Sequence, residues 1–514
     1  MKTMRKIASL LLALVMIFGL ATTAFADETT PTPKTYSITI SNAVAGYTYE
    51  AYQIFIGELS NDATNDKTTG TTAVLSNIKW GSGVAKYDRN EVVAGTDASA
   101  IAEGLNSDNL STFINKLDLS TTAATTSTVI DGKYTISGLA PGYYLVKNTA
   151  VPPDGTYTEY IVEVVENSTV TPKTDAPEFQ KKVDDKNDSN TTEDAIVWQD
   201  SADYDIGDNV PFQLTATLPD NVASYTTYKV IIHDTLSAGL SYKGDAVVMI
   251  DGNDVTENFT IVPNGTALTF SCTNVKALDA TNGSVITVEY TATLNEDAVI
   301  GSIGNPNVAY LEYSNNPNWN GNGTEPTGKT PTDMVIVFTY KVIVDKVTPT
   351  GEKDKDGKPI YTKLSGADFT LYKWAEVKAA EGETAAEYGW VAVNEATKTT
   401  TEGTRFTWER LDDGKYKLEE TVTPPGYNTI DPIEFIISAT HEDGDEPYLE
   451  TLNGGNLFTG EVSTGALTGE VINQSGTQLP ETGGMGTTLF YALGGILVVA
   501  ALILLVTKKR MASN

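Results

Sequence analysis

Near its C-terminus the chain carries Leu479-Pro480-Glu481-Thr482-Gly483, a string whose chemistry lies in one peptide bond. Pro480 favours an extended or turned backbone, suited to insertion into an enzyme groove. A thiol transpeptidase could attack the Thr482 carbonyl, release the Gly483 side and hold the remaining chain as an acyl-enzyme. Such an intermediate needs an amine to resolve it. Lys173, in "VTPKTDAP", is a candidate, because its Pro-flanked backbone is expected to be extended and its side chain exposed.

A second set of reactive residues is expected to face inward. In "FTYKVIVDKVTPTG" the alternation places Tyr340, Val342, Val344 and Lys346 on one strand face, so Lys346 is carried into the core. In "GKYKLEETVTPPGYNTI" Tyr416, Leu418, Glu420 and Val422 share a face, carrying Glu420 inward among three apolar neighbours. A lone buried carboxylate is costly and is expected to be neutral there. In "LTGEVINQSG" Val471 and Asn473 share a face. The middle of the chain repeats the pattern: Phe179, Lys181 and Val183 alternate while Lys182 points away; Val230, Ile232, Asp234 and Leu236 share a face; so do Asn307, Ala309, Leu311 and Tyr313. Register favours Asn307, with Asn305 two residues back as the alternative. Lys341, whose face carries Asp345, is the weaker nucleophile of its strand. Burial disfavours the charged form of a lysine and frees its lone pair for attack.

These residues require strands to hold them. Apart from its ends the sequence has few helical periods and many short runs rich in Val, Ile, Thr and Tyr: "TYSITI", "YTISGL", "TEYIVEVV", "VPFQLTATL", "SVITVEYTATL", "YKVIVDKV" and "YKLEETV". Punctuated by Gly, Pro, Asn and Asp, they read as sandwich strands. One or two helices are expected in "ASAIAEGLNSDNLSTFINKLD", where Ile101, Leu105, Phe113 and Leu117 recur at helical spacing. Seams rich in Pro and Thr, "TVTPKTDAPEFQ" and "NNPNWNGNGTEPTGKTPTD", divide the chain. The expected organisation is a processing segment over 1–26, domains over 27–173, 174–330 and 331–478, and a C-terminal signal over 479–514.

Both ends look like targeting segments. Lys2, Arg5 and Lys6 precede an apolar run from Ile7 to about Leu20, and Ala24-Phe25-Ala26 follows with small residues where a signal peptidase reads, which predicts export and cleavage after Ala26. Leu489 to Val506 is uncharged and close to the ~20 residues needed to span a bilayer. Lys508, Lys509 and Arg510 follow it, as a cytoplasmic tail would.

The formal charge of -32, from 67 acidic and 35 basic residues, argues against a nucleic-acid partner, which needs a basic footprint. With Cys272 as the single cysteine no intramolecular disulfide can form; in "LTFSCTNV" it reads as a small buried apolar group. His233 and His441 are the only histidines and are far apart in sequence, so no serine or cysteine triad is visible. His233 alternates opposite Asp234 and reads as a surface residue. "DKDG" at 354–357 lacks the remainder of a calcium ligand set and reads as a β-turn. No enzyme activity, cofactor or metal is expected.

The C-terminal arrangement resembles the cell-wall sorting signal of Gram-positive surface proteins, which implies sortases, of the pilus and housekeeping kinds, as partners and peptidoglycan as the final anchor. The chain as a whole resembles the major, or backbone, pilin subunit of sortase-assembled pili, whose pilin motif ends in Tyr-Pro-Lys; here Thr171 replaces the tyrosine. "YKLEETVTPPGY" resembles the E-box of Cna B-type domains, with Tyr416, Leu418, Glu420, Pro424, Gly426 and Tyr427 matching and Thr423 standing where alanine is common. The resemblance implies a Lys346 to Asn473 isopeptide bond promoted by Glu420, a Lys181 to Asn307 bond promoted by Asp234, and tandem immunoglobulin-like sandwiches. The first domain resembles a pilin N-terminal domain, and no such bond is expected there: "TYSITI" holds no lysine and "YTISGLAPGYYLV" no E-box glutamate. The function implied is a shaft subunit joined through Thr482 of one copy to Lys173 of the next. Its partners would be copies of itself, ancillary pilins, and a host or neighbouring-cell surface. Two alternatives stay open, a non-polymeric wall-anchored adhesin and an ancillary pilin at the tip or base.

Overall fold

The computed structural model describes residues 35–41, 44–59, 75–106, 109–121, 125–130, 132–172, 175–189, 196–319, 321, 323–378 and 386–476. Ala26, Lys173, the string Leu479 to Gly483 and the apolar run Leu489 to Val506 lie outside them. Among the described residues no helix is long and apolar enough to cross a membrane. The chain is mostly β, as its alternation predicts, and falls into two compact units. One holds the described residues up to Asn187 with Glu193–Thr339 and Thr440–Glu450; the other holds Asp188–Thr192, Tyr340–Ala439 and the described residues from Thr451 onward.

Among its described residues the first unit contains two pairs of sheets and a small three-stranded one, Asn90–Glu91, Val84–Tyr87, Leu117–Leu119. In the N-terminal pair, a four-stranded sheet runs in the order Ser168–Val170, Tyr36–Ile40, Lys133–Leu139, Thr128–Ile130. The inward positions of the opening strand are Tyr36, Ile38 and Ile40, and they pack on Tyr49, Tyr134 and Ile136. The facing sheet is built on Thr48–Leu59 and Gly142–Ala150. The expected helical stretch forms two short helices, Ser99–Glu103 and Leu110–Ile114, with Phe113 buried against Phe55 and Trp80.

The second pair supplies the first reactive cluster. One sheet runs Trp198–Gln199, Glu178–Asp184, Asn209–Thr217, Val285–Leu294, Val247–Ile250, Asn253–Asp254; the other runs Ser201–Asp203, Asp333–Phe338, Asn305–Ser314, Val230–Leu236, Ala267–Cys272, Thr260–Asn264. Strict alternation makes this sandwich: in Val285–Leu294 every second residue is buried, the period of a pleated strand with one face on a core. Cys272 is buried and unpaired. His233 lies on the outer face of its strand, opposite the buried Asp234. Its ring is half-buried, stacked on Tyr310 at 4.6 Å between centroids, with Nε2 3.2 Å from Glu312, because the outer face of this strand pair carries its own aromatic and acidic ladder.

In the second unit one sheet runs Lys398–Thr401, Arg405–Leu411, Tyr340–Lys353, Ala466–Ile472, Thr459–Glu461, and the other Glu387–Ala392, Asp368–Lys378, Gly414–Val422, Ile433–Glu442, Tyr448–Asn453. The core includes Val342, Val344, Phe369, Phe406, Trp408 and Leu418. Tyr340–Lys353 and Ala466–Ile472 are parallel neighbours, with Lys346 opposite Val471, so the unit's first and last long strands lie side by side. The "DKDG" turn closes a hairpin between Tyr340–Lys353 and Pro359–Lys363. Asp354 Oδ1 accepts from the Asp356 and Lys358 amides at 2.9 and 2.8 Å, and Gly357 takes φ 81°, a left-handed geometry open to glycine.

Candidate functional site: two buried lysine, acid and asparagine clusters

Two buried lysines, Lys346 and Lys181, each lie in a cluster with an acid and an asparagine. In the second unit Lys346 lies on one of the two adjacent parallel strands, Asn473 directly follows the other, and Glu420 reaches them from the opposite sheet. Lys346 Nζ donates to Asn473 Oδ1 and lies 3.2 Å from Glu420 Oε1. Asn473 Nδ2 donates to Glu420 Oε1 and Oε2 at 3.0 and 3.3 Å. Both charged side chains are fully buried, and the ammonium sits 5.2 Å above the Phe369 ring. Burial pushes the Lys346 pKa down, with Glu420 opposing.

Two details differ from the sequence reading. Glu420 is not a lone carboxylate: besides Lys346 and Asn473, its Oε2 accepts from the Ile430 amide at 3.2 Å and from Thr423 Oγ1 at 3.3 Å. Thr423, the departure from the common alanine, thus adds a hydrogen bond to the acid. Val422 does not share the inward face and is 51% exposed. Phe369 pairs with Glu420 while its neighbour Asp368 pairs with Val422; this bulge turns the strand's end outward ahead of Pro424 and Pro425.

The first unit's cluster spans its two large sheets. Lys181, on Glu178–Asp184, places Nζ 2.9 Å from both Asp234 oxygens, and neither side chain is exposed. Phe212 and Tyr290 lie under the ammonium at 5.2 and 5.5 Å. Burial pushes the Lys181 pKa down, and Asp234 works against that shift. Asn307 joins the cluster indirectly, its Nδ2 donating to the Tyr290 hydroxyl at 2.7 Å. Asn305 stands apart: Oδ1 accepts from the Val299 amide at 2.8 Å and Nδ2 donates to the Val299 and Val337 carbonyls at 3.1 Å each. Its side chain is committed to backbone, which leaves Asn307 as the asparagine beside Lys181 and Asp234.

Tyr290 is the member the sequence reading missed. It donates to Asp234 Oδ2 at 2.6 Å and lies 3.4 Å from Lys181 Nζ. Burial, and then the Asp234 charge, hold its pKa well above the ordinary phenol range. A signal was available: Tyr290 shares an inward face with Ile286, Val288, Ala292 and Leu294, and a hydroxyl on an aliphatic face needs a partner.

With this geometry in hand, comparison with known proteins is specific at the C-terminal end. Residues 352–448 match the SpaA family of prealbumin-like fold domains, and residues 472–513 match the LPXTG cell wall anchor motif. The trypsin-resistant surface T6 protein of Streptococcus pyogenes serotype M6 is 26% identical over 366 residues, 60% of this chain. The chain is a homologue of that protein. The match spans 65% of the T6 protein's own length. The solved T6 backbone pilin of the same serotype superposes with a TM-score of 0.52 at 18% identity, covering 87% of this chain and 100% of that one, which shows a shared fold. The major pilin SpaD of Corynebacterium diphtheriae gives 0.46 at 18% identity, over 86% and 98% of the two chains. The anchor motif and the T6 homology make this a wall-anchored surface protein; the matching family models describe a structural domain and an anchor, neither of them an enzyme.

Proposed function

We propose that the chain is the repeating shaft subunit of a covalent surface pilus, cut by a sortase between Thr482 and Gly483 and joined through the Thr482 carbonyl to Lys173 of the next copy. The observation that carries this reading is the pair of buried clusters, each gathering a lysine from a sandwich's opening strand and an asparagine from its later part, in direct contact in one and through Tyr290 in the other. Amide bonds there would lock the strands that a tensile load would otherwise peel first. The T6 relative, itself a backbone pilin, supports the same assignment. The first sandwich, residues 27–173, would carry the linking lysine at its end; the sandwich that holds Lys181 and Asn307 and the one that holds Lys346 and Asn473 would carry one internal amide each.

In the second unit the contacts support such a bond. Burial leaves Lys346 able to lose its proton, and Glu420 at 3.2 Å is placed to take it. Nζ attacks the Asn473 side-chain carbon, Glu420, 3.0 Å from Nδ2, returns the proton so that the carbon to Nδ2 bond breaks and ammonia departs, and Glu420 then accepts the second Nζ proton and ends neutral. The acid therefore serves the leaving nitrogen, and the carbonyl oxygen faces the lysine. An equivalent exchange joins Lys181 to Asn307 with Asp234 as the acid.

Two measurements test the reading separately. Wall extracts boiled in detergent and reductant are expected to give a high-mass ladder on an immunoblot, and the Lys173→Ala chain a monomer band. A monomer band in both favours a non-polymeric adhesin, the reading that the missing pilin-motif tyrosine at Thr171 would suit; an unchanged ladder means a different linking lysine. The intact mass of the processed chain is expected to fall short of the sequence mass by two ammonia molecules. A full sequence mass would sink both internal bonds.

A further inference from the structure

The two clusters differ in one respect that bears on how the amide forms. In the second unit Glu420 touches both the nucleophile and the leaving nitrogen. In the first unit the acid is an aspartate, one methylene shorter, and its contacts are Lys181 and Tyr290. The gap to the asparagine is filled by the Tyr290 hydroxyl, 2.6 Å from Asp234 Oδ2, 2.7 Å from Asn307 Nδ2 and 3.4 Å from Lys181 Nζ. We propose that Tyr290 is a catalytic residue of Lys181–Asn307 amide formation, relaying the proton from Asp234 to the departing nitrogen. This inference rests on the internal-bond reading above and extends it to a residue outside the lysine, acid and asparagine set.

The proton inventory closes through the observed contacts. Lys181 gives one proton to Asp234, leaving a neutral amine and a neutral acid, the pairing that full burial favours. Nζ attacks the Asn307 side-chain carbon, and the new bond makes Nζ cationic and Nδ2 basic. Asp234 passes its proton to the Tyr290 oxygen as the Tyr290 hydrogen moves to Nδ2; the carbon to Nδ2 bond breaks and ammonia leaves. Asp234 then accepts the remaining proton from Nζ and ends neutral. One amide nitrogen is exchanged for another, with no oxidant and no external base. The hydroxyl suits this role because its raised pKa keeps it protonated between turns of the relay. Before the lysine proton moves, Tyr290 donates its single hydrogen to Asp234 and accepts from Asn307 Nδ2; once Asp234 is protonated, the bond between Asp234 and Tyr290 reverses and the hydroxyl hydrogen turns to Nδ2, which attack has made basic. Asn307 Oδ1 is left buried without a hydrogen-bond partner among the described residues.

The test is a pulse of cell-free synthesis of the full chain, followed by intact mass against time. The wild type is expected to lose two ammonia molecules. Tyr290→Phe is expected to lose the one from Lys346 and Asn473 at the normal rate and the second at least ~100-fold more slowly, the usual contribution of a placed acid-base group. Asp234→Glu in the Tyr290→Phe background, which restores the reach that Glu420 has, is expected to recover the second loss. Tyr290→Phe losing both at the wild-type rate would overturn the relay and leave the bond reading intact. A wild type that never loses the second ammonia would instead overturn the bond itself. If Tyr290→Phe unfolds the sandwich, difluorotyrosine at 290 keeps the shape and lowers the phenol pKa. A shifted pH profile of the second loss then supports the relay, and an unmoved profile refutes it.

Discussion

A subunit pulled between Lys173 and Thr482 is expected to lengthen in one bounded step, and its Glu420→Ala variant to lengthen by roughly 440 Å more at ~3.5 Å per extended residue. Load entering at Lys173 reaches Lys181 after eight residues and crosses the proposed amide to Asn307, bypassing 182–306. It then follows the chain to Lys346, crosses to Asn473, bypassing 347–472, and leaves nine residues later at Thr482. Apart from the eight- and nine-residue ends of the path, only the stretch from Asn307 to Lys346 can pay out, giving at most ~140 Å. Glu420→Ala removes the acid that serves Asn473 Nδ2, so the second bypass is lost and about 126 residues join the load path. Single-molecule force spectroscopy on chains tethered at those two residues reads the difference directly. Equal contour lengths in the two proteins would refute the load path. Residues before Lys173 lie off that path altogether, which gives a mechanical reason for an N-terminal sandwich whose opening strand turns only Tyr36, Ile38 and Ile40 inward.

How much of this was legible in advance follows from what a period of two can carry. The inward placement of Lys181, Asp234, Lys346, Glu420 and Asn473 is a property of strand alternation, and all five are buried. Alternation cannot separate Asn305 from Asn307, since both point inward and both are wholly buried. What separates them is tertiary: the Val299 and Val337 backbone claims one, and Tyr290 holds the other. Val422 was misplaced because a bulge is a mismatch between two strands, and neither strand's own pattern records it. Tyr290 was passed over because a tyrosine on an apolar face reads as one more aromatic; its hydroxyl matters only once Asp234 and Asn307 arrive from the other sheet. Thr423 was seen only as a departure from a motif, although its hydroxyl reaches the acid.

Glu420→Ala is expected to destabilise the second unit far more than the double change Lys346→Met, Glu420→Gln, although both abolish the same cross-link. The amide would close a loop of roughly 130 residues, and chain-entropy reasoning developed for disulfides assigns such a loop about 5 kcal/mol. Both variants forfeit that. Glu420→Ala in addition strands Lys346 as a fully buried amine above the Phe369 ring, and breaking a buried pair by removing one partner costs about 3–5 kcal/mol. The double variant replaces the pair with groups that need no counter-charge: methionine fills the lysine's apolar volume, and glutamine keeps an acceptor for the Ile430 amide and Thr423 Oγ1. Buried ion pairs exchanged for neutral groups of similar shape are often close to neutral in stability. Calorimetry of the unbonded proteins should therefore place the double variant below the wild type by the cross-link alone and Glu420→Ala lower still. Coincident melting of the two variants would mean that Lys346 finds water or another partner once the acid is gone, and that the cluster's cost lies in the lost bond alone.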